Sequence, residues 1–150
     1  PAIHVDIYPT LVEIAGGKMP TTQVFDGVSL LPLMLDVKSK LPREAFFQHF
    51  PGYLGAGAGQ WRTTPVSLIR AGEWKLMEFL EDGRLELYNL RDDIGETKNL
   101  AAAMPEKAKE LHAKLLAWRA ATKAPMPTKN DPANPSSEGR KKAGGKKKGN

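Results

Sequence analysis

Residues 65–100, PVSLIRAGEWKLMEFLEDGRLELYNLRDDIGETKNL, decide how this chain folds. Val66–Arg70 alternates as a strand, and Ala71-Gly72-Glu73 turns it. Trp74–Leu80 alternates again, with Trp74, Leu76, Glu78 and Leu80 on one face and Lys75, Met77 and Phe79 on the other. Asp82-Gly83 reads as a two-residue hairpin turn, because glycine accepts positive φ without steric cost. Leu85–Tyr88 closes the meander. An acidic, Asn-containing loop follows it.

Outward from this run, Ala45–Phe50 (AFFQHF) is aromatic-rich and predicts one more strand, for about four antiparallel strands in all. Residues 51–64, PGYLGAGAGQWRTT, lack periodicity and predict a long loop, the kind of segment that often carries function. Pro105–Thr122 predicts a helix. Ala108, Leu111, Leu115 and Trp118 recur at three- and four-residue intervals and can lie on one face of the sheet. Residues 5–15 predict another helix, with Asp6 as N-cap, Pro9 in the first turn and Gly16-Gly17 ending it. Its apolar residues form two adjoining lines, Ile7–Leu11–Ile14 and Tyr8–Val12–Ala15. Such a helix is expected to be covered on more than one side, by a partner larger than this chain supplies. VSLLPLML (28–35) predicts a short helix or turn packed on the core, followed by a polar linker.

The chain of 150 residues contains no cysteine, which removes disulfides, Cys-ligated zinc and a thiol nucleophile from consideration. No apolar run is long enough to span a bilayer, and no signal peptide opens the chain. It begins at Pro1, which reads as a fragment whose N-terminus lies upstream. The net charge of +5 is concentrated at one end. Lys123–Asn150 holds eight basic residues against Asp131 and Glu138, so the preceding 122 residues sum to −1. A near-neutral fold argues against a nucleic-acid partner. The Pro-, Gly- and Lys-rich segment after Ala124 cannot offset its ordering entropy and is expected to be disordered. Its KKAGGKKK run suits a polyanion, although a solubilising terminus is the plainer reading.

Four motifs stand in order: D-I-Y-P-T-L at 6–11, D-G-V-S-L-L-P-L at 26–33, R-x-G-x-W-K-L at 70–76, and L-Y-N-L-x-x-D-x-x-E-x-x-N-L at 87–100. Together they resemble the C-terminal subdomain of the sulfatases, in the alkaline-phosphatase-like superfamily, over residues 3–122. The resemblance implies an α+β fold. A small antiparallel sheet of about four strands packs on a C-terminal helix (41–122). The helices ahead of it (1–40) belong to the end of a larger α/β domain, and 123–150 is a disordered basic tail. It also implies a sulfuric ester hydrolase acting on a sulfated small molecule or sulfated glycan, exported to the periplasm or beyond. The family nucleophile is formylglycine, made from C/S-x-P-x-R, and its metal is calcium. Both would lie upstream, since no serine here stands in that motif. The fragment alone should therefore be inactive, with no catalytic and no metal-binding residue of its own. A phosphatase or phosphodiesterase of the same superfamily is an alternative, and so is a non-catalytic polyanion-binding module.

Candidate substrate-contacting residues are His49, beside the glycine-rich loop, with Tyr53, Trp61 and Arg62 inside it. The resemblance puts this part at the rim of the substrate pocket; the alternative for His49 is a half-buried strand residue. Arg70 can reach an anion through its fork-shaped guanidinium. For Arg70 and Lys75 the plainer reading is surface charge, or a salt bridge with Glu73 or Asp93. Trp74 reads as a core anchor. Asp92, Asp93 and Glu96 do not follow EF-hand spacing and read as turn and cap residues.

Overall fold

The computed structural model describes residues 1–55 and 61–128, with only the backbone of Trp61. The glycine-rich segment 56–60, the Trp61 side chain and the basic segment from residue 129 onward lie outside the described residues.

Two units of structure follow one another. The first holds a 3-10 turn (His4–Asp6), α1 (Ile7–Ile14) and α2 (Leu31–Leu35). The second holds β1 (Ala45–Phe50), β2 (Leu54–Gly55), β3 (Trp61–Thr63), β4 (Val66–Ala71), β5 (Trp74–Phe79), β6 (Leu85–Asn89) and α3 (Pro105–Thr122). Strands β1, β4, β5 and β6 form one antiparallel sheet in the order β1-β4-β5-β6.

The core is a row across that sheet. Phe47, Ile69, Leu76 and Leu87 are cross-strand partners in turn, so all four side chains rise from one face. Ala108, Leu111 and Leu115 of α3 press onto Ile69, Leu76 and Leu87, and these six residues are buried. The spacing of the helix residues places them on a single stripe. Trp118, one turn further on, stacks on Phe47 with ring centroids 5.0 Å apart. Trp74 packs against the rim of this cluster. The outer edge of β6 is closed by the loop after it. Asn99 Oδ1 accepts the Leu87 N–H at 3.0 Å, and the Leu100 N–H donates to the Leu87 carbonyl at 2.8 Å.

Three local expectations are corrected. The Asp82-Gly83 hairpin is wider than two residues: Glu78 pairs with Leu85, and the Phe79 N–H donates to the Arg84 carbonyl. Leu80 is drawn away from β6 because its N–H donates to the Pro65 carbonyl at 2.8 Å. Gly83 still supplies the left-handed residue, at φ +74°, and Asp82 Oδ1 caps the Arg84 N–H. Residues 51–64 are not uniformly loop, because β2 and β3 pair as a short antiparallel ribbon. Asp6 occupies the N-cap position of α1, yet its side chain makes no capping bond to that helix.

Asp6 instead ties three segments together. Its buried carboxylate accepts the Ile3 N–H at 2.9 Å and the Val28 N–H at 3.0 Å, and it is paired through both oxygens with Arg43. Thr10 adds a second tie. Its hydroxyl donates to the Asp6 carbonyl at 2.6 Å and accepts the Leu30 N–H at 2.9 Å. The inward face of α1 is therefore Pro9 and Thr10, while Ile7, Leu11 and Ile14 are 58%, 58% and 52% exposed. The apolar stripe of α1 points away from the rest of the described chain. That is opposite to the usual arrangement of a surface helix.

Candidate functional site

β1 ends where the ribbon begins. Phe50 pairs with Val66, and between them the chain runs out through β2 and back through β3. His49 stands one residue before that exit, on the α3 side of the sheet and opposite Ser67. Both its ring nitrogens are engaged. Nε2 is 2.6 Å from the Pro125 carbonyl oxygen, which can only accept, so Nε2 carries the proton. Nδ1 is 2.6 Å from Ser67 Oγ and takes the hydroxyl proton in the neutral ring.

The contact continues inward. Arg119 Nη1 donates to Ser67 Oγ at 3.4 Å and lies 2.8 Å from Glu78 Oε2. His112 Nε2 is 3.1 Å from the same oxygen. This polar chain links β1, β4, β5 and α3. It also pins the segment after α3, which leaves the helix through Lys123 in the left-handed region at φ +51°. A serine hydroxyl beside a histidine is the geometry of a nucleophile and its base. Here Ser67 is fully buried, so no substrate reaches it, and the pair is structural.

The other expected residues are distributed around this corner. Tyr53 donates its hydroxyl to Glu81 Oε1 at 2.6 Å, a bond that raises the tyrosine pKa above its ordinary value. Glu81 belongs to the β5–β6 turn, so the ribbon is fastened to that turn. Arg62 is exposed on β3 and makes no ion pair among the described residues. Trp61 belongs to β3, and its side chain lies outside the described residues. Arg70 is elsewhere. It pairs with Phe46 and Lys75, so it rises from the sheet face opposite His49.

The acidic loop is held by turn chemistry. Asp93 accepts the Lys98 N–H at 2.8 Å, the Thr97 N–H and the Thr97 hydroxyl. The Lys98 and Thr97 amides hold its carboxyl below the usual carboxylate range. Glu96 pairs with Lys75, 2.7 Å away through each oxygen. Lys75 thus meets Glu96 rather than Glu73 or Asp93, and Glu73 meets Arg91 at 2.6 Å. These acids do not fit a calcium ion. The oxygens of Asp6, Asp93 and Glu96 are spent on amides, a hydroxyl and cations, and their side chains do not converge among the described residues.

Sequence reasoning missed Ser67, Glu78, Arg119 and the Asp6–Arg43 pair as connected groups. One signal was present: Glu78 falls on the inward face of an alternating strand, and His112 and Arg119 lie seven residues apart on one helix.

Comparison with known proteins decides the family. The family model for the C-terminal region of N-sulphoglucosamine sulphohydrolase matches residues 2–121. The chain belongs to this sulfatase family. It is 37% identical over 134 residues to a sulfatase of Formosa agariphila, covering 81% of this chain and 23% of that protein. Among solved structures it is similar to a sulfatase from Bacteroides thetaiotaomicron, at TM-score 0.67 and 27% identity, covering 85% of this chain and 27% of that one. It is also similar to BT4656 in complex with its substrate D-glucosamine-2-N,6-O-disulfate, at TM-score 0.65 and 25% identity, covering 84% and 25%. The chain therefore spans about a quarter of the length of the sulfatases it matches. Its four-stranded sheet with a closing helix is the architecture expected of the sulfatase C-terminal region.

Proposed function

We propose that this chain is the C-terminal part of a sulfatase that hydrolyses sulfate esters of a sulfated glycan or sulfated small molecule. The family match over residues 2–121 carries the reading. Residues 41–122 form the C-terminal subdomain, and residues 1–40 finish a larger α/β domain that covers the outward stripe of α1. The nucleophile, a formylglycine made from Cys or Ser, and the calcium ion are supplied by that upstream domain. No step of the chemistry falls to the residues described here, and the 150-residue chain alone is inactive. The enzyme works in the periplasm or outside the cell, where sulfated polymers are met. No helix of the described residues is long and apolar enough to cross a membrane.

Within this reading, the corner at the end of β1 contributes to the substrate rim. Arg62 supplies an exposed cation, Tyr53 an aromatic ring, and His49 fixes the base of the ribbon while bordering a groove of about 450 Å³ along the outer edge of β1. A charge-assisted bond from Arg62 to a substrate anion contributes about 1.5–3 kcal/mol. In the full-length enzyme, Arg62→Ala should raise KM about tenfold or more and leave kcat within about threefold. An unchanged KM would remove Arg62 from the rim.

A further inference from the structure

Arg70 stands on the sheet face away from α3, between Phe46 of β1 and Lys75 of β5, with Tyr88 of β6 next in the row. Its neighbours are already satisfied. Lys75 is paired with Glu96, and the buried Tyr88 hydroxyl donates to Glu86 at 2.8 Å. Arg70 is not. It is half-buried, makes no ion pair among the described residues, and its Nε is buried with no hydrogen-bond partner. A buried donor left unmet destabilises the fold, and a guanidinium is always charged. Glu96, the acid that lines the same cavity as Arg70, has both oxygens on Lys75. Arg70 borders a cavity of about 230 Å³ whose other wall is Pro1, Ala2 and Ile3. Polypeptide joined to Pro1 would therefore start at the rim of this cavity.

We propose that Arg70 is the receptor for a carboxylate carried by the polypeptide upstream of Pro1, an ion pair that seals the open sheet face against the preceding domain. The inference rests on the reading of the chain as the C-terminal part of a longer sulfatase. Charge complementarity and the position of Pro1 favour that occupant. The guanidinium fork matches a carboxylate through two parallel N–H···O bonds, one of which would use the idle Nε–H. His49 stands on the other face of the sheet, toward α3.

The test uses the full-length protein with Arg70→Met, which keeps the apolar stem, and Arg70→Lys, which keeps the charge and loses the fork. With Arg70→Met, amides of 46–48 and 68–70 should exchange about tenfold faster, while KM for a sulfate ester stays within about twofold. Arg70→Lys should recover part of the protection. A KM raised about tenfold with exchange unchanged would overturn the proposal, since Arg70 would then receive the substrate's sulfate. Unchanged exchange with unchanged KM would overturn it as well. If the wild-type protein releases sulfate from no ester, the functional reading fails by itself, and the exchange comparison still decides the fate of Arg70.

Discussion

Replacing Asp6 by Asn should loosen the N-terminal unit far more than the exchange of one carboxylate oxygen for an amide NH2 suggests. Asp6 is fully buried and the Arg43 side chain is 10% exposed, so the variant leaves a cation nearly out of water with no counter-charge. Breaking a buried pair from one side costs about 3–5 kcal/mol. A second route gives a similar size. Hydrogen bonding from Arg43 holds the Asp6 pKa at about 2, against an ordinary 3.8, in spite of the opposing effect of burial. At about 1.4 kcal/mol per pH unit that shift is worth roughly 2 kcal/mol. We take about 3 kcal/mol, equivalent to roughly a 150-fold change in a local opening equilibrium. The Leu30 N–H, bonded to Thr10 Oγ1, reports this opening without touching Asp6 directly. Its exchange should quicken by about that factor in Asp6→Asn. The double variant Asp6→Asn/Arg43→Met removes the orphaned charge as well and should recover a large part of the loss. Exchange faster by less than about tenfold, or a double variant no better than the single, would refute the keystone role of this pair. The pH dependence has a fixed sign. The folded pKa lies below the unfolded one, so the stabilisation is full above 3.8 and is lost as pH falls from there to about 2.

Leu111→Ala, at a fully buried contact between α3 and the sheet, should lower unfolding stability by about 3 kcal/mol in urea titrations, and a loss under about 1 kcal/mol would mean the helix is not docked there. Gly27→Ala should cost about 2 kcal/mol or more, because a methyl group there runs into the Val5 carbonyl of the preceding turn; a wild-type urea midpoint would show that 26–30 can move aside. Burial, helped by the hydrogen bond to Glu86, pushes the Tyr88 pKa up to about 12. In an ultraviolet titration, Tyr88 should ionise late and together with unfolding, since the neutral form is the one the fold favours; ionisation of Tyr88 at the ordinary tyrosine pH would contradict its burial.

The second unit was more legible than the first because its signals are periodic. A strand alternates and a helix repeats at three and four, so Ile69, Leu76, Leu111 and Leu115 announce their facing from local spacing alone. The Asp82-Gly83 turn was legible as a turn but not in its width. Width depends on Leu80 bonding back to Pro65, a contact that no local pattern contains. The ribbon β2–β3 was hidden by glycines that suppress alternation. Asp6 was the deepest miss. A helix-start Asp normally caps its own amides, and here two of its three donor residues lie 22 and 37 positions away. Of the polar chain from His49 to Glu78, the inward Glu78 was the legible end; the chain itself exists only once the β1–β4–β5 register is set. Periodicity did show that α1 has more apolar surface than one face can bury. The structure adds the direction, with Ile7, Leu11 and Ile14 turned outward.

The central claim is a division of labour: ester chemistry upstream, scaffold and substrate rim here. Inorganic sulfate released from sulfated glycans and aryl sulfates tests it, measured side by side for the full-length protein and for residues 1–150 alone. The account predicts sulfate from the full-length protein and none from the shorter chain. Sulfate released by residues 1–150 alone, or phosphate rather than sulfate released by the full-length protein from the matching esters, would contradict it.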